Sequence, residues 1–224
     1  MARDLILADP QSARDALVFA ERAAQVGDAA VRLQAERGTL AMYAAALAPQ
    51  GLLDSTPLVL ALRVLRADYD LSCDLTVESL AATPDRAALR LPQLAVSRGW
   101  ASAAVPRDGW AQTGTVGASE LQRVARAGNA EVVRALPRTP GMDVVRRVRA
   151  QVWGQPAEEL ANLPRGVAFA AAAFGFIGES TESASVWRVG RWARVSLLRG
   201  HLLYRGPVTS GLTAVRRTGA ASSR

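Results

Sequence analysis

The sequence predicts an α+β fold in which antiparallel strands pack against helices. Three patterns predict it. Near the N-terminus, Ala13, Leu17, Ala20 and Ala24 recur at helical spacing. Between residues 31 and 44, apolar and polar side chains alternate on both sides of Arg37-Gly38. The same alternation returns between 185 and 205, broken by Gly190-Arg191 and Arg199-Gly200, which predicts a C-terminal three-stranded meander.

The first helix has clear ends. Asp9 is a good N-cap, Pro10 suits the first helical position and Gly27 suits the stop. A two-residue turn at Arg37-Gly38 pairs Glu36 with Thr39 and Leu33 with Met42. That register sets Val31, Leu33, Leu40 and Met42 on one buried face. Residues 58–65 are almost wholly apolar, as in a central strand covered on both faces. Leu71, Cys73, Leu75 and Val77 alternate with polar residues and form a fourth strand. Cys73 falls on its apolar face, where a thiol is inert packing rather than a nucleophile.

Thr83-Pro84 predicts a short helix. Residues 92–116, with Pro92, Trp100, Pro106 and Trp110, read as loop or short strand. Ser119 and Gln122 form a capping box for a helix running to about 136. A further helix over 141–153 would turn Val144, Val145, Val148 and Val152 inward and Arg146, Arg147 and Arg149 outward. Pro164 then opens a helix through Ile177, closed by Gly178, with no polar face and hence a place in the core.

These elements suggest a helix plus four-stranded subdomain over 1–91 and a helical segment plus meander over 92–212. The two could form one continuous domain. A disordered tail is expected over 213–224.

Composition narrows the chemistry. The 27 basic residues are all Arg, and only two Ile occur, a bias typical of high-GC genomes. Without lysine there is no Schiff-base or P-loop lysine. One His and one Cys cannot assemble a His/Cys zinc site, and any histidine triad would need His201. Dinucleotide, nucleophile-elbow and zinc-protease signatures do not occur. No cofactor and no metal is expected. Asp4 and Asp9 interrupt any signal-peptide core, and the apolar run 166–178 is short for a bilayer of about 30 Å. A cytoplasmic protein without membrane association is therefore expected.

The charge is uneven. Residues 1–90 carry a net −3 and residues 91–224 a net +10. A basic half could attract nucleic acid or an acidic protein partner; alternatively, arginine simply solubilises the surface. On the meander, the predicted register sets Arg194 opposite Trp187 and Arg205, and Leu198 opposite His201. One face carries Trp187, Trp192, Arg194, Ser196, His201 and Arg205. Aromatics interleaved with arginine can stack bases and hold phosphates. The competing account is a second core with Arg194 stacked on Trp187, which Leu198 and Leu203 on that face favour. Together with Arg146, Arg147 and Arg149, these residues define a candidate binding surface.

Other polar groups are weaker candidates. Asp68, Asp70 and Asp74 read as a solvated turn rather than a carboxylate metal site. Glu158 and Glu159 suit a first helical turn. Glu179 and Glu182 could serve as acids or bases, but nothing positions a partner for them. Arg37-Gly38-Thr39 and Arg199-Gly200-His201 repeat a strand–turn–strand pattern, a faint sign of two similar halves.

The C-terminal stretch GVAFAAAAFGFIG…VWRVGRWARVSLLRGHLLYRG resembles an uncharacterised protein family of high-GC bacteria. The resemblance implies no activity and transfers no catalytic residue. The function expected is thus non-enzymatic binding or protein interaction. Nucleic-acid binding through the basic half, and a carboxylate- and arginine-dependent hydrolase or transferase, are the alternatives.

Overall fold

A computed structural model describes residues 4–51, 54 and 56–207. The predicted tail over 213–224 lies outside the described residues. The chain folds as α+β. Strand β1 (Asp4–Ile6) precedes helix α1 (Pro10–Val26), and strands β2 (Val31–Glu36), β3 (Thr39–Leu47), β4 (Leu58–Arg66) and β5 (Cys73–Val77) follow. Short strands β6 (Ala81–Ala82) and β7 (Ala88–Arg90) lead to a loop with a 3-10 turn at Gly99–Ser102, then to β8 (Ala111–Gly117). Helices α2 (Ala118–Ala135) and α3 (Met142–Gly154) come next. Strands β9 (Pro156–Ala157) and β10 (Leu163–Pro164) precede α4 (Gly166–Ala173). The chain ends in the meander β11 (Ser183–Val189), β12 (Trp192–Leu197) and β13 (Gly200–Arg205).

One eight-stranded antiparallel sheet, ordered β5-β2-β3-β4-β13-β12-β11-β8, spans both halves of the chain. The first half contributes one helix, α1, and the second three, α2–α4, each set followed by a three-stranded meander. The last strands of the two meanders, β4 and β13, pair antiparallel at the centre. The topology matches the turn at Arg37-Gly38 with Gly190-Arg191, not with Arg199-Gly200. The short repeat in the sequence therefore joins positions that are not equivalent. Strand β1 pairs with β7, and β7 with β6, in a small separate sheet.

The first hairpin has the expected register: Glu36 pairs with Thr39 and Leu33 with Met42. Arg37 and Gly38 both take positive φ, 49° and 77°, as a type I′ turn requires. Val31, Leu33, Leu40 and Met42 are fully buried. Cys73 pairs with Ala35 and is only half-buried, because β5 is an edge strand.

The meander keeps its faces but shifts its second register. Arg194 lies opposite Leu203, Trp192 opposite Arg205 and Ser196 opposite His201, so the turn is Leu198-Arg199 and Gly200 belongs to the strand. Gly200 is needed there because a Cβ would strike the ring of Phe176.

Other departures have local causes. No helix forms at Thr83, whose hydroxyl instead donates to the carbonyl oxygens of Asp85 and Ala88 and shapes a turn into β7. The N-cap of α2 is Gly117, not Ser119, and the Ala118 N–H donates to the Glu182 carbonyl. Helix α4 stops at Ala173, since Gly175 turns left-handed (φ 63°) and folds Phe176 back into the core.

The helices cover one face of the large sheet. There Phe174, Trp153, Leu121 and Val186 join the main core. The opposite face carries a smaller core in which Trp100 and Ala103, from the loop before β8, cover Leu60, Leu203 and Trp192. Among the described residues, no helix is long and apolar enough to cross a membrane.

Candidate functional site

The second face of the sheet holds a groove of about 500 Å³. Alternation builds its floor. Leu62, Leu203 and Arg194 point away from the helices because their neighbours Ala61, Leu202 and Val195 fill the main core. Residues 103–107 and Trp110 form the wall. That loop is tied to the connection between α1 and β2 at Asp28, whose carboxylate accepts from Trp100 Nε1 (2.6 Å), Ala30 N (3.1 Å) and Arg98 Nε (3.3 Å). Farther along, the Trp110 indole N–H donates to the Pro106 carbonyl (3.1 Å) and closes the loop on itself.

Arg194 is the central cation. Its guanidinium carbon lies 4.8 Å from the ring centroid of Trp110 and 5.3 Å from that of Trp187. Two indole faces attract the charge without neutralising it. Burial holds Arg194 below the ordinary arginine value. Its Nε is buried without a hydrogen-bond partner among the described residues. Such an atom forgoes the solvation it would have in water and favours an incoming acceptor.

The other arginines of the groove have carboxylates. Arg32 is held by Asp74 through two bonds of 2.7 Å and also donates to the Ala101 carbonyl. The hydrogen bond from Arg32 lowers the Asp74 carboxyl below its usual range. Arg107, largely exposed, sits 3.5 Å from Glu36. Tyr43 lies beneath Arg32; burial raises its phenol, while Arg32 and Arg107 oppose the rise. The lining thus holds three arginines against one carboxylate, Glu36.

Trp187, Trp192, Arg194, His201 and Arg205 do share this face, as alternation required. Trp192, however, is buried in the second core with Arg205 over its ring (5.9 Å). His201 Nδ1 is 3.0 Å from Ser196 Oγ, and burial, then Arg194 and Arg63, depress its pKa below 6.5.

Arg146, Arg147 and Arg149 lie elsewhere. Helix α3 packs with α4 on the opposite side of the sheet. Arg146 pairs with Asp143, and Arg149, expected outward, instead covers the Phe169 ring at 5.2 Å. Val144, expected inward, is exposed. Arg188 also points to the helix side, where it donates to the Ala161 carbonyl. The arginines therefore do not form one surface.

The acidic candidates serve the fold. Asp74 is the partner of Arg32, and Asp68 accepts from the Asp70 N–H. Glu159 pairs with Arg123. Glu182 accepts from Gly178 N and Leu198 N, joining the end of the α4 segment to the turn between β12 and β13.

Sequence reasoning missed Arg32, Tyr43, Arg107 and Trp110. Alternation along β2 and β3 sets Arg32 and Tyr43 opposite Leu33 and Met42, a signal for their shared face. Nothing local shows that Trp110 reaches Arg194.

No curated protein matches the chain by sequence. Among solved structures, it is similar to a DNA polymerase sliding clamp from Caulobacter crescentus, with 13% identity, a TM-score of 0.46, and coverage of 92% of this chain and 68% of that one. A putative DNA polymerase III beta subunit from Eubacterium rectale matches with 8% identity, TM-score 0.47, and 90% and 64% coverage. A sliding clamp from Pseudomonas aeruginosa matches with 9% identity, TM-score 0.47, and 92% and 64% coverage. The chain thus spans about two thirds of the length of these proteins. By sequence, residues 1–103 match the model of a domain of unknown function (DUF8010), and residues 105–209 match that of another domain of unknown function (DUF8185).

Proposed function

We propose that this is a non-enzymatic binding protein that takes an anionic ligand in the groove on the second face of its sheet. The observation that carries this is Arg194: a cation between two indoles, with a buried Nε that has no acceptor among the described residues, at the edge of an open cavity. A purely structural arginine stacked on tryptophan would satisfy its donors locally, as Arg32 does with Asp74 and Ala101. The polyanion alternative has less support, since a nucleic-acid strand needs a continuous cationic track and the basic residues are divided between two sides of the sheet.

Trp110 and Trp187 supply the readout. Citrate or inorganic phosphate, added at low ionic strength, should change tryptophan emission saturably. Arg194→Gln should abolish the response, and added salt should weaken it. No saturable change, or an equal response from Arg194→Gln, overturns the proposal.

A further inference from the structure

We infer that the groove's ligand is an extended protein segment in which two acidic residues flank an apolar one, an inference that rests on the anion-binding reading above. Three features of the groove select that pattern. Arg194 on β12 marks one end, and Arg107, above Glu36 of β2, marks the other. Between them the floor carries the apolar side chains Ala41, Leu62 and Leu203, with Thr39 and Tyr43 beside Ala41 on β3. From β12 to β2 the sheet advances four strand spacings, roughly 19 Å.

A small anion fills only one end of such a site. An extended chain advances about 6.6–6.8 Å for every two residues and turns alternate side chains to one face. In a segment Glu-Ala-Leu-Ala-Glu, both carboxylates and the leucine face the floor together. The two carboxylates then lie about 13 Å apart at the backbone, and the reach of the arginine and glutamate side chains closes the remainder. One carboxylate meets the part of the Arg194 guanidinium that lines the groove. The other displaces the exposed Arg107 from Glu36, a pairing weak enough to exchange at 3.5 Å with both groups more than half exposed. The leucine covers Ala41, Leu62 and Leu203. Single-stranded nucleic acid fits less well: the two indoles that could stack bases already hold Arg194, and Glu36 faces the path of the phosphates.

The test is fluorescence anisotropy with a fluorescein-labelled Glu-Ala-Leu-Ala-Glu peptide. Controls are its Gln-Ala-Leu-Ala-Gln counterpart, a scrambled Ala-Glu-Glu-Leu-Ala peptide and a labelled single-stranded oligonucleotide. The acidic peptide should bind at least about tenfold more tightly than either peptide control. Arg194→Gln and Arg107→Gln should each weaken it by about tenfold, and Arg126→Gln on the helix side should leave it unchanged. Denaturation midpoints establish that each variant is folded. Equal binding of the scrambled peptide, or tighter binding of the oligonucleotide, overturns this inference. Citrate binding that depends on Arg194 without peptide binding also overturns it and leaves the anion-binding proposal standing. Failure of both citrate and peptide removes both.

Discussion

Gly200 lies beneath the ring of Phe176: a Cβ on Gly200 would sit 2.5 Å from the Phe176 Cζ. Phe176 is buried, and its ring stacks near Phe19 at a centroid distance of 6.4 Å. The contact ties the segment after α4 to the start of β13. It also fixes which residues form the turn between β12 and β13.

Gly200→Ala should therefore destabilise the protein by about 1–3 kcal/mol through overpacking. Urea denaturation of Gly200→Ala, Phe176→Leu and the double variant measures the coupling. A double variant more stable than the sum of the single effects is expected. Strict additivity would mean that Phe176 moves aside freely.

Gly128, in the middle of α2, tests two opposed effects. Gly-to-Ala inside a helix ordinarily gains about 1 kcal/mol. Here the added methyl would overlap the ring of Trp153, which is 1% exposed and stacked on Phe169 at 4.8 Å. Overpacking of about 1–3 kcal/mol should exceed the helical gain. Gly128→Ala should thus lower the denaturation midpoint, whereas a rise would place a gap between α2 and α3.

Phe174 is fully buried and touches Phe19 (5.2 Å between centroids) and Phe176 (6.0 Å). Phe174→Ala should cost about 3–5 kcal/mol in equilibrium unfolding. A near-neutral effect would show that the α4 segment contributes little to the core.

The first hairpin was legible because two independent signals agree there: side-chain alternation and a two-residue turn. The faces of the meander were legible for the same reason, since a strand's period of two survives a register shift of two. The shift itself was not legible. Arg199-Gly200 reads locally as a turn, yet the glycine answers to Phe176, a distant residue. Likewise Arg149 sits over Phe169 because α3 packs on α4, which helical periodicity alone does not encode. The loop before β8 resisted reading because its two tryptophans are placed by Asp28, 72 residues before Trp100, and by Arg194, far beyond Trp110. The part of the candidate site that the meander carries, Arg194 and Leu203, was therefore visible as one face. The wall that turns this face into a groove was not.

His201 gives the expected pH dependence. Burial, then Arg194 and Arg63, depress its folded pKa below the ordinary 6.5. Above about pH 6.5 both folded and unfolded states hold a neutral imidazole, so His201 contributes nothing to the slope. Below it the unfolded chain takes up a proton that the folded protein resists, and stability falls with pH until the folded pKa is reached. His201→Gln should flatten the stability profile below about pH 6.5 and leave pH 8 little changed. An unaltered slope would assign the acid sensitivity to the carboxylates.

The wall of the groove depends on Asp28. Asp28 accepts three hydrogen bonds, from Trp100, Arg98 and the Ala30 backbone, and two of these donors belong to the loop that crosses the second face. Trp100 is 8% exposed, so removing its acceptor strands a nearly buried indole N–H. A lost hydrogen bond to a charged acceptor costs about 1.5–3 kcal/mol. Much of that loss should appear locally, because the far end of the loop has its own anchor where Trp110 stacks on Arg194. Asp28→Ala should accordingly speed amide hydrogen exchange over residues 98–107 more than in β3 or β4, which lie at the sheet centre. Affinity for an anionic ligand should drop as well, since a loosened wall adds an ordering cost to binding. Unchanged exchange over 98–107 would mean that the Trp110–Arg194 stack alone holds the loop, and Trp110→Leu should then produce the loosening instead.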